Sequence, residues 1–243
     1  MDSFSQTNYS QENQYQESQQ HGNILKNVRL GFVRKLAFTA LMIFMSQQSR
    51  SFRLFQAQNV WLFTLSTVLT VAISIGMYCV PALTKKVPIN YFALGLFTVC
   101  EGYTVSAFTL QYSKLVVLQA GFLTAGATIL LFLYACTTKK DVTIMNSSLF
   151  MFISSLLLVS IMNFFFRSEL LVMLIQYATV LIYSFYLIYD IQIIMGDKTL
   201  KLDIDNYILG SLIIYIDIIK IFLKVLQLLG QKEEKEKERE RKK

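Results

Sequence analysis

The chain has 243 residues, of which 54% are hydrophobic and only 16% charged, against roughly 25% charged in soluble domains. Its apolar residues come in blocks of about 20, the length that crosses about 30 Å of hydrocarbon at 1.5 Å per residue, which excludes an ordinary soluble domain. The net charge is +7, but the Lys and Arg sit in short connections and the C-terminal tail, so membrane topology accounts for them better than nucleic-acid binding does.

Residues 1–28 are rich in Gln, Asn, Ser and Tyr and have no apolar run. They read as a disordered cytosolic tail without a cleavable signal, because they bury too little apolar surface to offset ordering. Its sequon, Asn8-Tyr9-Ser10, has no meaning on the cytosolic side. The first hydrophobic segment is short. Its apolar core runs only from Leu36 to Met45 and is followed at once by SQQSRS, so it is expected to be a shortened, tilted or interfacial helix. Six longer segments follow at 60–83, 88–112, 115–137, 144–166, 169–195 and 206–230. Backbone groups in lipid must be paired locally, so helices are expected throughout. The fold class is an all-α membrane bundle of six to seven transmembrane helices spanning residues 29–230, ahead of a charged tail at 231–243. Gly121-x-x-x-Ala125 permits a close helix approach.

Basic residues sort the connections by side. Lys26, Arg29, Arg34, Lys35, Lys85, Lys86, Lys139, Lys140, Lys198 and Lys201 fall on the N-terminal side; Arg50, Arg53, Lys114 and Arg167 fall on the other. That bias places the N-terminal side in the cytosol. The tail QKEEKEKERERKK breaks the pattern with seven basic residues. Either the last segment does not cross fully or the tail is an exception.

Charges within spans are costly, at least about 2.5 kcal/mol at a helix centre, so each one needs a reason. They are Glu101, Asp190, Asp217, Lys220 and Lys224. Gln176, Thr179, Tyr183, Tyr186 and Asp190 step by three and four along one segment. Asn206, Gly210, Ile213, Asp217, Lys220 and Lys224 do so along the last. Each helix therefore has one polar stripe, and two such stripes face each other or a wet cavity rather than lipid. In a structural reading, Asp217 pairs with Lys220 on its own helix, Lys224 snorkels, and Asp190 is hydrated at its helix end. In a functional reading, Asp190 and Asp217 form an ion pathway or pH latch. Two close carboxylates do not titrate independently, and their oxygens suit a transient Ca²⁺. Glu101, Lys220, Tyr186 and Asn206 are secondary candidates. Counted from the helix ends, the two aspartates differ in depth by roughly 10 Å, so their contact is an expectation that needs testing.

No resident cofactor is expected. Cys79, Cys100 and Cys136 form no C-x-x-C pair, and His21 is the only histidine, which argues against a disulfide framework or a His-ligated metal. An enzyme is not expected either. Tyr189-Asp190 and Pro81-Ala82-Leu83 resemble motifs of presenilin-type intramembrane aspartyl proteases. However, the second aspartate lies in Tyr215-Ile216-Asp217 rather than G-x-G-D, and the PAL tripeptide precedes both aspartates.

Several stretches resemble the transmembrane Bax-inhibitor-motif, or lifeguard, family, and most closely its Golgi anti-apoptotic branch. They include FVRK at 32–35, Pro88-x-Asn90-Tyr91, FTVCEGYTV at 97–105, VLQA at 117–120, TKKD at 138–141 and FFFRSE at 164–169. The most specific are IYDIQ at 188–192 and DNYILGSLIIYIDIIKIFL at 205–223. The resemblance implies a seven-helix bundle that encloses its last helix, a Ca²⁺ leak from Golgi or endoplasmic reticulum, and suppression of cell death. It also implies a pH-sensitive latch at Asp190 and Asp217, and an acidic position of the Golgi branch at Glu101. This chain departs from the family in its short first segment and in lacking a basic residue between Phe55 and Leu83. Those departures keep a second reading open: a non-conducting regulator that binds other membrane proteins besides the lipid bilayer.

Overall fold

In the computed structural model, described residues are 30–80, 88–138, 169–195 and 207–242, with isolated positions between them. All regular structure among them is helical: α1 (Leu30–Gln48), α2 (Arg50–Gln58), α3 (Val60–Cys79), α4 (Ile89–Thr109), α5 (Lys114–Thr137), α6 (Glu169–Met195) and α7 (Tyr207–Arg241). Most of the expected N-terminal tail, Asn206, and most of 144–166 lie outside the described residues; at the end of that tail Lys26 and Val28 are helical, and Val28 is buried against the α6–α7 core. Within 144–166, Ser154, Ser155, Val159 and Ile161 are helical.

Five helices, α1, α3, α4, α5 and α6, are long and apolar enough to cross a membrane. Large apolar side chains on their outer faces are exposed, among them Phe44, Val68, Phe92, Phe122 and Leu181. Such a surface suits lipid and would be a liability in water. The sixth long helix, α7, shows the opposite pattern. None of its large apolar side chains is exposed among the described residues. Leu212, Tyr215, Ile219, Phe222 and Leu226 pack with α3, α4 and α5 residues into one core. Ile214, Ile218 and Ile221 join Leu187, Ile188 and Ile191 of α6 in a second core. The last helix is therefore central: its apolar side chains and Asp217 are enclosed by the bundle, while Lys220 is exposed.

The first helix is longer than its apolar core. It has 19 residues, about 28 Å, enough to cross. Lys35, Thr39 and Ser46 lie on one face, all buried, and Leu41, Phe44 and Met45 turn outward. The polar residues that shortened the apparent segment point into the bundle.

The end contacts fix the direction of α7. Lys35 Nζ, near the start of α1, donates to Ser211 Oγ at 2.6 Å. At the other end, Gln47 Nε2 of α1 donates to the Thr109 carbonyl at 2.9 Å, and Ser113 Oγ donates to Glu233 Oε2 at 2.9 Å. Lys237, which hydrogen-bonds the carboxylate, and then Ser113 hold Glu233 below the usual carboxylate range. From Ser211 to Glu233 the helix rises about 33 Å, so α7 crosses the whole bundle parallel to α1. That length argues against an incomplete crossing. A Cβ at Gly121 would meet nothing within 4 Å, so no neighbouring helix packs closely on that position among the described residues.

Candidate functional site

α6 and α7 run antiparallel, and their polar stripes meet. Lys235 Nζ lies 3.3 Å from the Met173 sulfur at one end. Towards the other end the Asp190 and Asp217 carboxyls come within hydrogen-bonding reach of each other. Carried along both helices, that register sets Met195 level with Leu212, so α7 begins about 8 Å beyond the end of α6. This overhang removes the depth difference counted from the helix ends. Asp217 is buried at 6% exposure, and its Oδ2 has no hydrogen-bond partner. Asp190 is half-buried.

Two carboxyl groups in contact are held together by a shared proton; as two anions they repel. The surroundings bear on that balance. Tyr183 and Tyr186 of α6 lie beside the pair. The Lys220 ammonium sits 5.1 Å from the centroid of the Tyr183 ring, in cation–π range. Lys220 acts electrostatically on Asp190, Asp217 and, from across the bundle, Glu101 of α4. No direct ion pair joins Lys220 to either aspartate, so the simple intrahelical pairing is not formed. Lys224 turns instead to Gln227 Oε1 at 3.0 Å.

No group of three or more His, Cys, Asp or Glu side chains able to hold a metal occurs among the described residues. Two carboxyls alone suit a passing hydrated cation better than a resident one, since Ca²⁺ takes six to eight oxygens.

The structure also brings in residues that the sequence reading passed over. Two residues before Asp217, on the opposite side of α7, Tyr215 is fully enclosed. Its hydroxyl is 2.7 Å from Thr39 Oγ1, and its ring meets Phe97 edge-on at 6.1 Å and 82°. Lys35–Ser211 lies a further turn away. The available signal was spacing: Lys35 and Thr39, like Ser211 and Tyr215, are four apart on one helical face.

The family model described as Inhibitor of apoptosis-promoting Bax1 matches residues 22–234. The chain belongs to the Bax-inhibitor family. Among its relatives, the Golgi anti-apoptotic protein of Vaccinia virus (strain Lister) is 31% identical over 157 residues, 64% of this chain and 65% of that protein. Bax inhibitor 1 of Schizosaccharomyces pombe is 27% identical over 214 residues, 84% of this chain and 78% of that one. Protein lifeguard 3 of Homo sapiens is 30% identical over 183 residues, 73% of this chain and 58% of that one. The chain thus spans under two thirds of the length of the viral and human relatives. This Bax-inhibitor chain carries Asp190, Asp217, Glu101 and Lys220 all within the family match.

Proposed function

We propose that this Bax-inhibitor-family protein is a pH-sensitive cation leak, chiefly for Ca²⁺, in a Golgi or endoplasmic reticulum membrane, and that it restrains cell death through that leak. One observation carries the reading: two carboxyl groups in contact on the central helix and its antiparallel neighbour, inside an apolar bundle. Loss of the shared proton changes their interaction from attraction to repulsion, and the change falls on the packing of α6 against α7. Names of relatives that refer to apoptosis support the cell-death half.

The test is Ca²⁺ flux into liposomes holding the purified protein, measured across pH, beside Asp217→Asn. The variant keeps the hydrogen bond to Asp190 but has no proton to lose at position 217. Wild-type flux is expected to depend on pH, and variant flux to lose most of that dependence. Wild-type flux at the level of empty liposomes would sink the leak; an unchanged pH profile in the variant would sink the latch.

The second reading, a regulator that binds other membrane proteins, draws on the last turns of α7. Residues 236–241 are helical and exposed. Deleting 231–243 and comparing partners recovered by crosslinking tests it, and an unchanged partner set would count against the tail.

A further inference from the structure

We infer that the cleft between α1, α4 and α7 on the N-terminal side is a binding site for the headgroup of an anionic glycerophospholipid. The cleft has a volume of about 540 Å³, within the range of small-molecule sites. Its walls are apolar: Phe38 from α1 and Leu94 from α4. At its outer edge Tyr91 and Val99 are 55% and 50% exposed and continue the wall onto the lipid-facing surface. An acyl chain can lie along that edge while the headgroup turns inward.

Two basic residues line the cleft. Arg34 is exposed at the rim and Lys35 lies at the floor, 3% exposed. Lys35 donates to Ser211 Oγ, which meets one of the three donors of its ammonium. A hydroxyl brings no negative charge, and no ion pair to Arg34 or Lys35 forms among the described residues. A cation enclosed between helices at a membrane boundary is costly without a counter-charge. A phosphate supplies that charge, and the planar Arg34 fork suits it bidentately. Basic pockets between transmembrane helices bind anionic headgroups for this reason. Free phosphate offers the same charge, but the apolar wall running out to the lipid favours the headgroup.

The test is native mass spectrometry of the full chain in detergent, titrated with phosphatidylserine or phosphatidylcholine. Two variants isolate the cleft. Arg34→Gln removes the rim charge at an exposed position. Gly95→Leu fills the cleft without changing charge, because a Cβ at Gly95 meets nothing within 4 Å. Phosphatidylserine is expected to bind the wild type several-fold more tightly than phosphatidylcholine. Arg34→Gln should weaken it about fivefold, the worth of one interfacial cation. Gly95→Leu should weaken it at least as much, with unchanged thermal unfolding. Equal affinity for the two lipids overturns the proposal. So does a loss with Arg34→Gln but not with Gly95→Leu, which indicates surface attraction alone. Displacement of phosphatidylserine by equimolar inorganic phosphate also overturns it, by showing a site for the free ion.

Discussion

Tyr215 carries a hydroxyl into the centre of the bundle, where an unmatched polar group costs about 1–3 kcal/mol. Thr39 meets it at 2.7 Å, so the pair locks α1 to α7. Tyr215→Phe leaves the Thr39 hydroxyl unmatched, and Thr39→Val does the reverse. Each is expected to lower stability by about 1 kcal/mol, and the double variant by less than the sum. Thermal unfolding in detergent, run as a double-mutant cycle, measures this; strict additivity would show that the bond contributes nothing. The two aspartates were legible in the sequence because a carboxylate in an apolar run stands out. Thr39 and Tyr215 were not, because a single hydroxyl in a membrane helix is ordinary and its partner lies 176 positions away. Lys35 was misplaced for a different reason. Basic residues beside a hydrophobic run usually belong to the flank, and only packing shows this one facing inward.

At the scale of helices, polar residues mark where α1 joins its neighbours. Ser46 Oγ donates to Gln56 Oε1 of α2, and Gln56 Nε2 donates to Ser106 Oγ of α4 at 2.9 Å. Arg53 Nη2 donates to the Gln47 carbonyl at 2.6 Å. The run SQQSRS, which looked like the end of a truncated segment, is instead the joint between α1, α2 and α4. Hydropathy counts residue types and does not see which face they occupy, so it shortened this helix. The opposite end of α1 depends on Gly31. A Cβ there would lie 2.9 Å from the Ser211 Cβ, so the two helices approach as closely as they do only because position 31 lacks a side chain. Gly31→Leu is expected to push α1 off α7, break Lys35–Ser211 and cost about 1–3 kcal/mol through overpacking. The readout is the unfolding midpoint together with faster hydrogen exchange in α1. A wild-type exchange pattern would show that α1 is held elsewhere.

For the whole molecule, the consequence lies in where the charges end up. Because α7 crosses completely, the tail emerges on the face of Arg53 and Lys114 rather than on that of Lys35. Its seven basic residues then join the four already assigned to that face, against ten on the N-terminal face. Acidic residues contribute little to orientation, so the five glutamates do not cancel this. The bias that placed the N-terminal side in the cytosol therefore disappears once α7 is laid out, and it could not be read correctly while the last crossing was undecided. The enclosure of α7 was likewise implied by family resemblance, not by periodicity, since a helix with charges on one stripe looks the same whether central or peripheral. What the structure requires is that the start of α1 and the end of α7 lie on opposite sides of the bundle. With Cys79, Cys100 and Cys136 replaced by Ser, single cysteines at Ser10→Cys and Lys242→Cys are expected to react with a membrane-impermeant maleimide from opposite sides of sealed vesicles. Permeabilisation should expose whichever site was protected. If both label from one side before permeabilisation, α7 does not cross, and the Ser113–Glu233 contact cannot form in the membrane.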